Sequence, residues 1–174
     1  MRQLIFVLFL MAAMPALLTA QTPTPPARTT STANDERRVQ GYVFAGPGAS
    51  SRNSETLLNF GGGGEGFVKG GLSAGAEVGG IAPTSQLDDG LGIFSANVGY
   101  HFLKASQSRK VVPFVSGGYT LFFRSGVDNG VNFGGGVNYW FKDRIGLRFE
   151  VRDHMFIPSP DTHLIGFRVG LMFR

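Results

Sequence analysis

Apolar and polar side chains alternate over long stretches of this chain. Between residues 145 and 156, apolar side chains from Ile145 to Val151 occupy every second position, and charged side chains from Arg148 to Arg152 lie between them. Residues 163–174 repeat the pattern. Because successive side chains of a β-strand point to opposite faces, each stretch predicts a strand with one apolar face and one polar face.

Eight runs of this kind follow one another, and none shows an apolar period of 3.6 residues, so the sequence predicts an all-β chain. The runs cover residues 38–46, 56–68, 72–82, 91–102, 111–123, 131–141, 145–156 and 163–174. Short turns and longer polar loops alternate between them, which is typical of an antiparallel up-and-down barrel. The short turns are 69–71 and 142–144, with a slightly longer polar connection at 103–110, and the longer loops are 47–55, 83–90, 124–130 and 157–162.

The composition indicates which face of the barrel points inward. Glycine supplies 26 of the 174 residues and charged residues only 16%, so an outer face built from the polar positions would be largely bare glycine. Small and charged side chains can fill a narrow eight-stranded lumen, and a closed sheet pairs every backbone group in lipid. We therefore predict an eight-stranded antiparallel up-and-down transmembrane β-barrel over residues 39–174. A soluble lipocalin-like barrel, with the opposite polarity, is the alternative.

The same alternation places three acids and three arginines on the inner face. These charges must pair, because an unpaired ion in a low-dielectric interior costs several kcal/mol. The favoured interpretation is a structural ion-pair plug that closes the barrel, and the alternative is a narrow ion path opened by a switch of partners. The predicted lumen charge network is Glu65, Glu77, Arg148, Glu150, Arg152 and Arg168.

Aromatic residues gather near the strand ends, as in the two aromatic girdles of membrane barrels. His101 lies beside the first predicted ring and is expected to be an interfacial side chain. The ring near the short turns is predicted to contain Tyr100, Phe102, Tyr139, Phe141 and Phe173, together with Phe67 and Trp140. The ring near the longer loops is predicted to contain Phe44, Phe122, Phe123 and Phe156.

The N-terminal residues have a different character. Arg2 is followed by the apolar run Leu4–Ala13 and by a small residue at Ala20, which predicts a secretory signal over residues 1–20 that is cleaved after Ala20. An apolar run of about ten residues is too short for a membrane-spanning helix. Residues 21–38 are rich in proline and threonine and predict a flexible periplasmic spacer. The chain has no cysteine, which excludes disulfides, a cysteine zinc site and a lipobox.

Other kinds of site receive little support. The candidates for a Ser–His–acid set are Asp153, His154, Ser159, Asp161 and His163. Their spacing does not indicate mutual hydrogen bonding, and they are too scattered to predict a metal site. The pattern Gly61-x-Gly63-x-x-Gly66 resembles a dinucleotide fingerprint, which requires a strand, a turn and a helix; here it lies within a strand, where bare backbone lets a neighbouring side chain pack closely. We expect no enzyme activity, no cofactor and no metal, and a net charge of +4 does not indicate nucleic acid.

Residues 39–174 resemble the outer-membrane β-barrel family of OmpA-like membrane domains. The segments that carry this resemblance are Gly61–Glu65, Gly134–Trp140, Arg148–Asp153 and Gly170–Arg174. The resemblance implies outer-membrane lipid as surroundings and a last strand recognised by the outer-membrane assembly machinery. That machinery reads a polar-x-Gly-x-x-aromatic-x-aromatic ending, to which Arg168, Gly170 and Phe173 correspond, although its last aromatic is absent here. We expect no peptidoglycan-binding domain of the kind that follows some OmpA-like barrels.

These patterns favour a monomeric outer-membrane barrel protein with a closed, salt-bridged lumen and an envelope-structural or surface-interaction role. One alternative is a narrow pore or a path for small hydrophobic molecules. A second alternative is a lipid-modifying outer-membrane enzyme.

Overall fold

Eight antiparallel strands close into a barrel in chain order, with β8 pairing back onto β1. The computed structural model describes residues 39–52, 55–103 and 110–174; the predicted signal and spacer lie outside these ranges. The predicted fold class is confirmed. The strands are β1 Val39–Ser50, β2 Thr56–Lys69, β3 Leu72–Pro83, β4 Leu91–His101, β5 Val111–Phe123, β6 Val127–Trp140, β7 Ile145–Phe156 and β8 His163–Phe173.

Two strands are longer than the alternation predicted. β1 continues to Ser50, which pairs with Leu164 of β8, and β6 begins at Val127, which pairs with Phe123 of β5. The glycine, proline and asparagine residues of these extensions suggested loops, but neighbouring strands supply backbone partners for them. The predicted loop 124–130 was therefore wrong, and the connection from β5 to β6 consists of residues 124–126.

The turn between β2 and β3 is the tightest part of the described chain. Gly70 and Gly71 have φ values of 63° and 96°, and two successive residues with positive φ match the twist of a two-residue hairpin. Just before it, the β2–β3 register shifts between Phe67 and Lys69. On the opposite end of the barrel, residues 84–90 form a loop that contains the short 3-10 helix Leu87–Asp89. Among the described residues, no helix has the length and apolar character needed to cross a membrane.

The outer surface of the barrel is apolar. Large side chains on β7 and β8, such as Phe149, Val151 and Phe167, are 39–51% exposed, whereas the residues between them face inward and are buried. This polarity is the reverse of a soluble barrel, whose outer face is polar. It suits a hydrocarbon solvent, in which the closed ladder satisfies the backbone of every strand.

Apolar side chains fill the lumen towards both ends. A turn-end cluster lies nearer the short turns and a loop-end cluster lies at the opposite end. The turn-end cluster is Tyr42, Phe44, Val112, Trp140 and Met172. The loop-end cluster is Leu57, Ile81, Ile93, Phe122 and Leu164, with Leu91 and Phe156 packed against it.

These clusters correct part of the predicted aromatic girdles. Phe44, Phe122 and Trp140 are at most 7% exposed, Phe156 stacks on Phe122 with ring centroids 4.1 Å apart, and Phe67 contacts the buried His101 ring at 4.8 Å. Each has the strand parity of the inward-facing residues, so it fills the lumen rather than meeting lipid.

The glycine pattern of β2 provides room for two of these rings. A Cβ added to Gly61 would lie 2.8 Å from Cζ of Phe44, and one added to Gly63 would lie 3.0 Å from Cζ of Tyr42. Both glycines lie within β2, so the strand interpretation of the Gly61-x-Gly63-x-x-Gly66 pattern is confirmed. Bare backbone at these positions is what allows aromatic rings into so narrow a lumen.

Candidate functional site

The centre of the lumen holds a compact network of ionised side chains. All six charged residues predicted on the inner face lie there, and each is at most 9% exposed. They come from β2, β3, β7 and β8, strands that lie on both sides of the β1–β8 pairing. Inward parity explains their placement, because each lies an even number of residues from another inward-facing residue of its strand.

Glu150 is the residue that joins the three arginines. Its carboxylate accepts hydrogen bonds from Nε of Arg148 at 3.1 Å, from Nε of Arg152 at 2.8 Å and from Nη2 of Arg168 at 2.9 Å. Nη2 of Arg152 makes a further short contact with it. Charge-assisted bonds of this kind are the strong class of protein hydrogen bonds.

The two other acids each hold one arginine from across the lumen. Glu77 on β3 accepts from Nη1 of Arg168 at 2.7 Å and from Nη2 at 3.2 Å. Glu65 on β2 accepts from Nη1 of Arg148 at 2.8 Å. Neither pair joins neighbouring strands: β1 and β2 lie between Arg168 and Glu77 around the wall, and β8 and β1 lie between Arg148 and Glu65.

Arg152 has fewer acidic partners than the other arginines. Beyond Glu150, its guanidinium donates to Oδ1 of Asn132 and, at 3.1 Å, to Oγ of Ser116. The nearest other carboxylate is that of Glu77, 4.0 Å from Nη2. Arg152 therefore depends on Glu150 for most of its charge compensation.

Further polar side chains complete the network around Glu65, and sequence reasoning missed them. Gln40 and Ser73 donate to its carboxylate at 2.6 and 2.7 Å, and Nε2 of His101 lies 2.9 Å from it. The expectation that His101 is interfacial was wrong: it is 1% exposed and shares the inward parity of β4. Tyr42 similarly donates its hydroxyl to Glu77 at 3.2 Å.

A second polar cluster lies between the charges and the loop-end cluster. Oγ1 of Thr120 lies 2.9 Å from Oγ of Ser95 and 3.3 Å from Nδ1 of His154, and it accepts from Asn132 at 2.9 Å. His154 is 1% exposed and is therefore buried in the lumen. His154 lies two residues after Arg152 in β7, so both side chains point inward.

Aromatic rings cover the arginine planes that the carboxylates leave open. The guanidinium carbon of Arg148 lies 3.9 Å from the ring centroid of Phe114 and 4.6 Å from that of Tyr42. That of Arg168 lies 4.0 Å from the Phe44 centroid. The rings supply a cation–π contact and exclude water at the same time.

Little free space is left beside the network. A cavity of about 10 Å³ borders Glu65, Ser73 and Arg148, which is room for about one water molecule. An eight-stranded lumen is expected to be filled by side chains in this way.

The residues considered for catalysis do not assemble a Ser–His–acid set. Asp153 and His163 do meet on the outer face, with Nδ1 of His163 2.8 Å from Oδ2 of Asp153. The hydroxyl nearest them in the hydrogen-bond network is that of Ser51, which donates to the Asp161 carbonyl at 2.9 Å and accepts from the backbone N–H of His163. Its proton is thus directed at a carbonyl rather than at the imidazole. Within the described ranges, no group of three or more His, Asp or Glu residues is placed to hold a metal ion.

The remaining predicted residues lie on the outer wall near the short turns or on the last strand. Arg168 and Gly170 of the proposed assembly signal face inward on β8, and Phe173 faces outward; recognition of this strand stays a prediction. The five aromatics are 41–45% exposed, and their place at a membrane interface also stays a prediction. They are Tyr100, Phe102, Tyr139, Phe141 and Phe173.

Comparison with known proteins gives structural but not sequence matches. No protein-family model and no curated protein sequence matches the chain. Among solved structures, Neisserial surface protein A is similar, with a TM-score of 0.62 and 16% identity over 78% of this chain and 94% of that one. The chain has the fold of the small eight-stranded outer-membrane barrels.

Two further structures support this fold. The N-terminal β-barrel domain of Pseudomonas aeruginosa OprF matches with a TM-score of 0.57 and 17% identity, over 78% of this chain and 96% of that one. A de novo designed transmembrane β-barrel matches with a TM-score of 0.53 and 17% identity, over 78% and 93%. Because a designed protein is among the matches, the outer-membrane barrel fold carries no particular activity with it.

Proposed function

We propose that this chain is an outer-membrane barrel protein with a closed lumen and an envelope-structural or surface-interaction role. The observation that carries the proposal is the balanced network of three carboxylates and three arginines, buried in a lumen that two apolar clusters also fill. The apolar outer wall supports placement in a membrane, and the outer-membrane barrel fold supports the outer membrane in particular.

A closed lumen follows from the physics of ion transfer. A permeating ion needs water or fixed charge along its whole path, and both apolar clusters lack charge. Between them, the carboxylates are already bonded to arginines, so an entering ion would have to displace a buried pair. Breaking such a pair costs about 3–5 kcal/mol, which is a large barrier to conduction.

The longer loops would provide the surface-interaction part of this role. In membrane barrels of this type, short turns lie on the periplasmic side and longer loops on the outside. Here Asp89 in the loop 84–90 forms a 2.5 Å ion pair with Arg124 in the three-residue connection 124–126. These loops are the part of the barrel that would be exposed to outside partners.

The proposal is tested by membrane fractionation combined with gel mobility. The chain should be recovered with the outer membrane, and the unboiled barrel should migrate differently from the boiled one. In planar bilayers the same folded protein should be electrically silent. A soluble product without heat-modifiable mobility would overturn the barrel assignment, and steady single-channel currents would overturn the closed lumen.

A narrow pore is the second candidate, and one contact favours it. Nη2 of Arg152 is bonded to Glu150 yet lies only 4.0 Å from Glu77, so a small rotation of its guanidinium would exchange partners. A pore predicts single-channel conductance that rises when Glu150 is replaced by glutamine. Silence of both wild type and Glu150→Gln, with folded protein, would exclude this candidate.

A further inference from the structure

The two ends of the barrel carry opposite charge. Among the described residues near the short turns, five basic side chains face one acid, Asp143; we call these five the basic rim. The basic rim is Lys69, Lys110, Lys142, Arg144 and Arg174. Near the longer loops, five acids face two arginines, Arg52 and Arg124. Those acids are Glu55, Asp88, Asp89, Asp128 and Asp161.

The lumen does not contribute to this asymmetry, because its three acids and three arginines cancel. The positive charge is therefore a property of the surface at one end. Lys69, Lys110, Lys142 and Arg144 are exposed, and Arg174 is half-buried. A rim of one sign at the edge of an apolar wall creates a field that selects the charge of the lipids around it.

The basic rim adjoins the outward-facing aromatics. The rings of Tyr100 and Phe102, at the end of β4, pack edge to face with centroids 5.1 Å apart. β4 pairs with β3, which begins directly after the Lys69 turn. Exposed aromatic rings of this kind sit at headgroup level in membrane proteins. Lysine side chains beside them can lay their methylene stems on the apolar wall and place the ammonium among headgroups.

The register shift at the end of β2 turns Lys69 towards the lipid. Phe67 pairs with Ser73, whose side chain faces inward, but Lys69 pairs with Leu72, whose side chain faces outward and is 46% exposed. The irregularity thus moves Lys69 onto the outer face, as bulges commonly re-aim a side chain. Without it, the alternation would direct Lys69 to the lumen mouth.

Arg174 is held at the same rim by contacts of its own. Its guanidinium carbon lies 3.9 Å from the Trp140 ring centroid, and its Nε donates to the Asp143 carbonyl at 2.7 Å. Both contacts fix the position of the side chain and leave its positive charge at the barrel end.

We infer that the basic rim binds the headgroups of anionic glycerophospholipids in the leaflet that surrounds the short turns. The inference rests on the proposed function, since it requires the barrel to lie in a bilayer. Two of the three connections at this end, 70–71 and 141–144, are short, and short turns are periplasmic in barrels of this type, so that leaflet is the inner leaflet of the outer membrane. The phosphate and its net negative charge are the recognised chemistry, and the rim is spread around the wall rather than gathered in a pocket.

The test measures lipid selectivity directly. The full chain is reconstituted into phosphatidylcholine vesicles with a trace of spin-labelled phosphatidylglycerol or spin-labelled phosphatidylcholine, and the protein-bound fraction is read by electron paramagnetic resonance. We expect the wild type to prefer phosphatidylglycerol by about three- to fivefold at low salt. The preference should fall towards one at about 1 M salt, where charges more than ~3 Å apart are screened.

Matched variants separate the basic rim from the barrel as a whole. The triple variant Lys69→Gln, Lys110→Gln, Lys142→Gln should lose most of the preference, whereas Arg52→Gln, Arg124→Gln at the other end should keep it. Equal loss in both, or a triple variant with undiminished preference, overturns the inference. If the triple variant does not fold, the salt titration of the wild type is the deciding measurement. A preference for phosphatidylglycerol that survives about 1 M salt overturns binding by the basic rim.

Failure of the inference can be distinguished from failure of the proposed function. A wild type that inserts, shows heat-modifiable mobility and has no preference for phosphatidylglycerol overturns only the inference. A wild type that does not insert into vesicles overturns both. A preference for an anionic protein or polymer over the labelled lipid, in direct competition, also overturns the assignment to phospholipid.

Discussion

Replacement of Glu150 by glutamine should strongly destabilise the barrel. The substitution keeps the size of the side chain but removes the charge that three arginines share. Arg148 keeps Glu65 and Arg168 keeps Glu77. Arg152 is left with neutral partners and a carboxylate 4.0 Å away, so most of the cost falls on it.

The contacts set the size of this effect. A pair of unit charges about 4 Å apart is worth about 4 kcal/mol at an effective dielectric constant of ~20. Removal of one partner from a buried pair costs about 3–5 kcal/mol in general. We therefore expect Glu150→Gln to lower the free energy of unfolding by about 3–5 kcal/mol.

Removal of Arg152 should cost less, and the two changes should not add. In Arg152→Met, Glu150 keeps Arg148 at 3.1 Å and Arg168 at 2.9 Å, so we expect a loss of about 1–3 kcal/mol. The double variant restores charge balance in the lumen. Its loss should fall short of the sum of the single losses by about 0.5–3 kcal/mol, the range found for residues in one network.

The assay is urea unfolding in phospholipid vesicles. Trp140 is the one tryptophan of the chain and is buried in the turn-end cluster, so its emission reports on lumen packing, and gel mobility gives a second measure of folding. Asp128→Asn, an exposed change at the start of β6, serves as the control and should stay within about 0.5 kcal/mol. If the double variant equals the sum of the singles to within ~0.5 kcal/mol, Glu150 and Arg152 are not coupled and the reasoning fails.

Three further predictions concern the wall and its outer face. Gly136→Ala would drive a Cβ into the Phe149 carbonyl oxygen and should destabilise by about 2 kcal/mol or more in the same urea assay, whereas Gly64→Ala, whose nearest neighbour would be 3.5 Å away, should change stability little; equal effects would contradict the packing argument. Val151→Arg places a charge on the lipid face and should cost about 2–4 kcal/mol, while Val151→Leu should be tolerated; a stable arginine variant in vesicles would argue that this face does not meet lipid. His163→Ala breaks a half-exposed pair with Asp153 and should leave the mass spectrum of the membrane lipids unchanged; an altered lipid mass would restore the enzyme alternative.

The fold was largely predictable because alternation is a local property. Runs such as 56–68 and 145–156 matched β2 and β7 to within a residue, since an apolar and a polar face are both required along the whole length of each strand. The extension of β6 to Val127 was not predictable in the same way. Asp128 and Asn129 resemble loop residues, and only the facing residues of β5 make them part of a ladder.

The inward direction of several aromatic side chains could have been predicted from the alternation along each strand. Their position near the strand ends instead favoured an interpretation as membrane girdles. Phe44 follows the inward Tyr42 by two residues, and Phe122 follows the inward Thr120 by two. Which acid meets which arginine was not predictable. Glu65 and Arg148 lie 83 positions apart on strands that are not neighbours, so their contact depends on the diameter of the lumen and the stagger of the strands.

The cross-lumen pairs have a consequence for how the barrel completes its assembly. Arg168 with Glu77, and Arg148 with Glu65, tie the last two strands to the second and third, so they bridge the β1–β8 seam from within. A sheet that is still open at that seam would leave the three arginines with Glu150 as their one carboxylate in the network, and would leave Glu65 and Glu77 without an arginine. Backbone pairing at the seam and formation of the cross-seam ion pairs therefore coincide, so a half-closed state lacks both, and we expect closure of the barrel to be cooperative.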